Sequence, residues 1–511
     1  MTILKRKRIV IIWLLVSIAS IAILRLPNYQ RELINWDEHT FMLSGADLLD
    51  GNLPYIETLD NKPPFLYANV ALAFVLFGRS VSGFRIFGDL CILINAIFIF
   101  LISRRLFNEM TAAFGSLSFI ALMSAPFAAH TSSEIIALVY LMAGLWLLFN
   151  FKLNSWVSLF AGILMSLAIL VRTNLILLAA CGALVFFMSF IKTKSLKDVL
   201  NFVFYAIGGV IPLFILTMIY WVNGKLEYLK LGLITIPFEY SEARRSIIGS
   251  ILRIGYKWLE FILMKPLIVV PVTVLLIISI YLLIKQSTRF LKNQTRWSND
   301  LQQNTTIMDL LILLLYLSTY VSILYSGKTY AHYQIQLFPF ISILIGRAFF
   351  SISNRKIKSV LVALLLISVV TGLPEMITSL NHDRDPGKNF EGMKLANSIR
   401  PLIREEDTIW ALNQHIVLFY LDKNPIIPLV THPSNLTQPS YVEGMKSFDP
   451  TAKDPFVQVL QLNPQFIITS NTIEVDYLSP DQNQMLIQYI KENYGLVYET
   501  EQSAVYKRVV D

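Results

Sequence analysis

The sequence predicts a polytopic α-helical membrane protein with a small soluble α/β domain at its C-terminal end. Three observations predict it. Of 511 residues, 55% are hydrophobic and only 15% charged, a balance rarely found in a soluble chain of this length. The hydrophobic residues gather in long runs, and short basic clusters recur between alternate runs, as the positive-inside rule requires. Past about residue 380 the long runs stop, and Asp, Asn, Gln and Pro become frequent.

A membrane helix needs about 17–25 consecutive apolar residues. Runs of that kind lie near 9–26, 83–103, 111–129, 133–151, 155–171, 174–191, 199–222, 258–284, 307–325, 334–352 and 359–378, which predicts about eleven crossings. The first follows Lys5-Arg6-Lys7-Arg8 without a small-residue cleavage site, so it reads as an uncleaved first helix. Arg6 and its neighbours, Arg104 and Arg105, Lys152, Lys192, Lys194 and Lys197, the stretch from Lys285 to Arg296, and Arg355, Lys356 and Lys358 then all fall on one side. Taking that side as cytoplasmic puts the N-terminus inside and the C-terminal domain outside. The apolar stretch 155–191 is interrupted only at Arg172-Thr173-Asn174. An arginine buried mid-helix costs about 2.5–3.5 kcal/mol on insertion scales, so two helices turning at Arg172 are expected.

The outer face then receives residues 27–82, the turn from His130 to Glu134, the connection 223–257, the turn from Lys328 to His332, and the segment 381–511. Within 27–82, Phe41, Leu43, Ala46, Leu48 and Leu49 are spaced as on an amphipathic helix ending at Gly51. Residues 65–77 are apolar but short, and fit an interfacial or re-entrant helix after Pro63-Pro64. In 381–511, β-like runs at 408–412, 466–469, 496–498 and 504–506 alternate with helical periodicity at 389–400 and 482–493. The organisation expected is 1–380 as the membrane domain and 381–511 as an extracytoplasmic α/β domain.

Composition also excludes some functions. The formal net charge of +8 is spread over connections rather than along one face, which argues against a nucleic-acid partner. Cys91 and Cys181 sit within apolar runs and offer neither a disulfide framework nor a metal signature. No strand, glycine-rich turn and helix pattern for a dinucleotide is present. His415 and His432 lack neighbouring ligands in sequence and are assigned to no metal.

Chemistry-bearing residues concentrate in the first outer connection. Asp37 and Glu38 stand at a helix start, where acids also serve simply to complement the helix dipole. Lys62, before Pro63-Pro64, holds an ammonium near the lipid phosphate level or snorkels there. Trp36-Asp37-Glu38, Ala46, Leu48-Leu49-x-Gly51, Pro54-Tyr55, Asp60-x-Lys62-Pro63-Pro64, Gly78 and Arg85 together resemble the first-loop pattern of polyprenyl-phosphate-dependent glycosyltransferases. These form the GT-C class, in the protein mannosyltransferase and lipid A aminoarabinose transferase group.

The resemblance implies transfer of a sugar, with inversion, from a polyprenyl-phosphate carrier to a lipid, polysaccharide or protein acceptor outside the membrane. It implies Asp37 as general base, Glu38 as its positioning partner, and Lys62, Arg172 and Arg85 at the donor phosphate. Asp60, Tyr55, Glu134, His332 and Tyr333 are substrate-binding candidates, although Glu134 also suits a helix start and His332-Tyr333 an interfacial belt. A divalent metal at Asp37 and Glu38 is an option by analogy with the class. Glu239, Arg244 and Arg245 suit either a gate for the acceptor or a solvated loop. The charge pattern and the scarcity of cysteine fit a bacterial inner membrane. A flippase of lipid-linked glycans would call for broken helices at mid-membrane and a repeated half, neither of which the sequence displays. A non-catalytic scaffold of an envelope assembly would give the Lys-Pro-Pro segment no chemical purpose.

Overall fold

The structure, a computed structural model, describes residues 3–242, 246–293, 305–325, 328–381, 390–449 and 451–509. Arg244, Arg245 and Arg296 lie outside the described residues. The chain gathers into two compact units that do not follow chain order: one comprises 1–28, 85–216 and 245–381, the other 29–84, 217–244 and 382–511. The grouping differs from a single cut at 380, because residues 29–84 cluster with the C-terminal segment.

The first unit is helical. Among the described residues the chain has nine helices long and apolar enough to cross a membrane. Two of the eleven expected crossings are shorter helices, Glu109–Leu122 and Ser155–Val171. The run 258–284 is also divided: Ile247–Met264 ends at Lys265, and a second helix, Pro266–Asn293, begins with Pro266, where proline suits the first helical position and cannot continue the previous helix. Trp13 anchors the first helix by stacking on Phe100 at 4.1 Å and donating to Ser116 Oγ at 3.2 Å. The expected turn at Arg172 is present. Ser155–Val171 stops at an extended Arg172, a short 3₁₀ turn covers Thr173–Leu175, and Ile176–Thr193 follows.

In the second unit, Trp36–Leu49 is helical and buries residues from Glu38 through Asp47. Asn35 caps it, its side chain accepting from Asp37 N, and Gly51 follows at φ +97°, a conformation that glycine adopts without cost. Asp37 and Glu38 therefore occupy the first turn and are not the cap. Pro63 leads into Pro64–Phe77. The C-terminal part holds a four-stranded sheet of β1 (Ile409–Ala411), β2 (Phe466–Ser470), β3 (Tyr494–Glu499) and β4 (Ser503–Arg508), in the order β1-β2-β4-β3. The β1 and β2 strands are parallel and the other pairs antiparallel. All four fall on the expected β-like runs, and Glu391–Ile399 and Pro480–Asn493 supply the expected helices. The sheet core is apolar, with Ile409, Trp410, Phe466, Ile467, Ile468 and Val505 almost wholly buried.

Candidate functional site

Among the described residues, most of the candidate residues fall in two buried polar clusters, one in each unit. In the second unit, Asn35 starts the helix that carries Asp37 and Glu38, and the two acids part in environment. Glu38 is fully buried, whereas the Asp37 side chain keeps 26% exposure. A proton acceptor has to be reached by its substrate, so the accessible acid of the pair is the better general base. Asp37 Oδ1 lies 3.7 Å from His432 Nε2. Trp36 presents its ring to His415, His432 and Tyr477 at centroid separations of 5.9, 5.6 and 6.1 Å. His415 Nε2 contacts Trp36 O at 3.3 Å, and His39 Nε2 contacts Glu32 O at 3.0 Å. Burial pushes both His415 and His432 below the ordinary imidazole range, with Asp37 acting in the opposite direction on each. They are neutral side chains at pH 7.

The chain from Tyr55 to Lys62 forms the second wall of this cluster. Tyr55 adopts φ +75°, its ring lies fully buried, and its hydroxyl donates to Lys62 O at 2.6 Å. Asp60 is nearly buried and accepts from Tyr67 OH at 3.2 Å, Tyr441 OH at 3.0 Å and Asn61 N at 2.7 Å. Burial, reinforced by Asp60, holds the Tyr441 phenol well above its usual range, so it remains a donor. Three donors on one carboxylate make Asp60 a brace for the loop. The Lys62 ammonium contacts Asn61 Oδ1 at 2.6 Å and lies 5.9 Å from the centre of the Phe41 ring.

In the first unit, Arg172 Nη1 lies 2.9 Å from Glu134 Oε1 and donates to Ser133 Oγ at 2.9 Å, and its guanidinium sits 4.2 Å above the Tyr333 ring. His332 Nε2 is 3.8 Å from the same Glu134 oxygen, and His130 packs edge-on to His332 at 5.5 Å. Glu134, Arg172, His332 and Tyr333 are thus brought together, and the Glu134 carboxylate already compensates the Arg172 charge. Arg85 is buried and donates to Asn28 O at 2.5 Å. Among the described residues no group of three His, Cys, Asp or Glu side chains is arranged to hold a metal. Glu239 lies in a short helix, Ile236–Glu242.

The sequence reading left Tyr441 and Tyr477 unnamed and noted His415 and His432 only as non-ligands; all four come from the C-terminal segment to the neighbourhood of Trp36, Asp37 and Asp60. Pro428, Pro433 and Pro439 flank His432 and Tyr441 in the sequence and set rigid turns but not where they dock; His415 and Tyr477 carry no such mark.

Residues 61–221 match the model of a family described as dolichyl-phosphate-mannose-protein mannosyltransferase. The crystal structure of ArnT from Cupriavidus metallidurans bound to undecaprenyl phosphate superposes with a TM-score of 0.64 at 14% identity, covering 98% of each chain. The apo structure of the same protein gives 0.62 at 15% identity, again over 98% of each chain. The chain has the GT-C fold. That fold, with the nine long apolar helices among the described residues, makes it an integral membrane protein. A lower similarity, TM-score 0.47 at 10% identity, covers 97% of this chain and 73% of an oligosaccharyltransferase from Archaeoglobus fulgidus. No curated protein sequence matches significantly. Within the GT-C chain, the family match spans Lys62 and Pro63-Pro64, Glu134 and Arg172, and starts after Asp37 and Glu38.

Proposed function

We propose that this GT-C protein is an inverting glycosyltransferase that moves a sugar from a polyprenyl-phosphate carrier to an acceptor on the outer face of a bacterial inner membrane. The observation that carries the reading is the fold-wide similarity to a protein solved with undecaprenyl phosphate bound. Asp37, accessible on the first turn of a capped helix that is buried from Glu38 to Asp47, takes the acceptor proton, a role worth about 10²–10⁴ in rate. Glu38 orients it. Lys62, held at the entry to Pro64–Phe77, stabilises the departing phosphate, a charge that costs most near a low-dielectric boundary. Arg172, paired with Glu134, and Arg85 assist at the phosphate. Asp60 and Tyr55 hold the Lys62 loop in shape, while His332 and Tyr333 line the Arg172 cluster. The N-terminus faces the cytoplasm and the 381–511 segment the outer side.

The test is transfer by the purified protein in detergent, using a panel of undecaprenyl-phosphate-linked hexoses and pentoses with a fractionated envelope extract as acceptor. Wild type should release undecaprenyl phosphate and label the acceptor, while folded Asp37→Asn and Lys62→Ala variants should not. Absence of transfer from every donor, together with lipid-linked glycan flipping in liposomes, would replace this reading by transport.

A further inference from the structure

Asp37 does not face its surroundings unaided. His432 comes from far along the chain, and its backbone is pinned between two proline-headed 3₁₀ turns, Pro428–Thr431 and Pro433–Thr437. Pro433 confines the residue before it to extended geometry, which His432 adopts at φ −110°, ψ 116°. The Trp36 ring, edge-on at 5.6 Å, and His415 at 6.2 Å fix the plane of the imidazole. One ring nitrogen, Nδ1, lies 3.0 Å from Ser434 Oγ, and the other, Nε2, lies 3.7 Å from Asp37 Oδ1. Ser434 Oγ accepts from Gln438 Nε2 at 3.3 Å. That nitrogen can only donate and takes one of the two Ser434 lone pairs, which leaves the hydroxyl proton available for His432 Nδ1. With the hydroxyl proton so directed, the neutral ring carries its own proton on Nε2, towards the Asp37 carboxylate.

We propose that Gln438, Ser434 and His432 form a fixed donor chain that ends on Asp37, making His432 a positioning residue for the base. The proposal rests on the reading of Asp37 as the base and assigns the C-terminal segment a part in the reaction. At 3.7 Å the Nε2–H is beyond ordinary hydrogen-bond length, so it acts as an oriented dipole that favours the ionised carboxylate and limits its rotamers. Burial disfavours positive charge on His432 most, Asp37 and Asp60 favour it, and Lys62 opposes it. This balance, with burial, keeps the ring a neutral donor and prevents it from becoming a competing cation. No bond is made or broken by His432. The acceptor proton goes to Asp37.

Three variants of the full-length protein in detergent separate this role from simple packing. His432→Phe keeps an aromatic ring against Trp36 and His415 but removes the donor, His432→Gln restores a side-chain N–H, and Ser434→Ala frees the tautomer. Using whichever undecaprenyl-phosphate sugar the wild type transfers, His432→Phe should lower kcat about tenfold with little change in KM for the donor. The acidic limb of its rate profile should move to higher pH, because a carboxylate deprived of a donor ionises less readily. His432→Gln should recover most of both. Independently, histidine-labelled protein, with six histidines to resolve and His432→Gln for assignment, should show the Nε2–H tautomer by ¹⁵N shifts, lost in Ser434→Ala. The His432 titration should fall to lower pH in Asp37→Asn, since the opposing carboxylate is gone. An Nδ1–H tautomer, or a titration indifferent to Asp37→Asn, overturns the donor chain. A His432→Phe profile superimposable on wild type overturns its role in the reaction. No transfer by wild type, with the tautomer and titration as expected, would remove the enzyme reading and the positioning role with it, while the His432–Asp37 pair itself would stand.

Discussion

The Glu134–Arg172 pair allows a sharp test of how charge is managed in the first unit. Its side chains are 1% and 6% exposed and 2.9 Å apart, so both ions have given up nearly all their water. Removing one partner of such a pair costs about 3–5 kcal/mol, because a buried charge is left uncompensated. The two halves should not cost the same. In Glu134→Ala the guanidinium cannot lose its charge. It keeps the Ser133 hydroxyl at 2.9 Å and the Tyr333 face at 4.2 Å, which places the cost near the lower end, about 3 kcal/mol. In Arg172→Ala the carboxyl is left with Ser133 at 3.3 Å and His332 at 3.8 Å, and can also become neutral by taking up a proton, so the loss should be smaller. The double variant should be more stable than the sum of the singles predicts by at least about 1 kcal/mol. The measurement is reversible unfolding by SDS in mixed micelles for wild type, both singles and the double. Equal costs for the two singles, or strict additivity, would refute the view that this is a buried, mutually compensating pair.

Three further outcomes are expected. Gly232→Ala should destabilise the protein by about 1–3 kcal/mol, as overpacking does, because a Cβ there would come within 2.5 Å of the Tyr55 ring. It should also reduce transfer more than a surface change does, since the Tyr55 hydroxyl holds Lys62 O, and enzyme assays beside SDS titration will check both. Asn35→Ala should cost about 1 kcal/mol through loss of the helix cap and should raise hydrogen exchange at the amides of the first turn, Asp37 and Glu38, without altering exchange in β2. His415 and His432 are held neutral below the ordinary value of 6.5. Below about pH 6.5 the unfolded chain therefore binds protons that the folded chain refuses, and stability should fall as pH drops from 7 to 5, by up to about 1.4 kcal/mol per pH unit for each residue. His415→Gln should flatten that slope in thermal melts taken across the range, and an unchanged slope would count against it.

Much of the fold was legible because lipid makes simple demands. The long apolar runs became helical, two of them interrupted by a proline, since a chain in hydrocarbon must satisfy its own backbone groups, and the break at Arg172 followed from the cost of a mid-helix cation. The errors arose where length and amphipathicity compete. Glu109–Leu122 ended short of the expected 111–129 because Pro126 begins a separate 3₁₀ turn. Ile247–Met264 went unrecognised as a separate helix because Lys257 and Glu260 pair on its surface at 2.7 Å, which hides its apolar stripe from a window average. In the candidate site the local half was readable and the distant half was not. Asp37, Glu38 and Lys62 fall within one motif, but their neighbours His432 and Tyr441 lie hundreds of residues away, and no periodicity encodes which turn of an α/β segment docks on which loop.

Where the candidate residues sit follows one physical rule. Asp37 lies on the first turn of Trp36–Leu49, Glu134 on the first turn of Ser133–Asn150, Lys62 just before Pro64–Phe77, and Arg172 between two helices. Each is at a place where the helical ladder has unused backbone donors or is interrupted. In a chain this apolar, such places are where a charged side chain is tolerated at least cost: an acid is favoured by the helix N-terminus, and a base can reach partners on a neighbouring break, as Arg172 reaches Ser133 and Glu134. The same constraint explains why the acids remain unequal. Glu38 and Glu134 are sealed in and are fixed in place by their surroundings, while Asp37 retains an open edge. In such a chain few positions keep a carboxylate accessible without destabilising its helix, and the first turn of a capped helix, beside aromatic rings and neutral imidazoles of the same unit, is one of them.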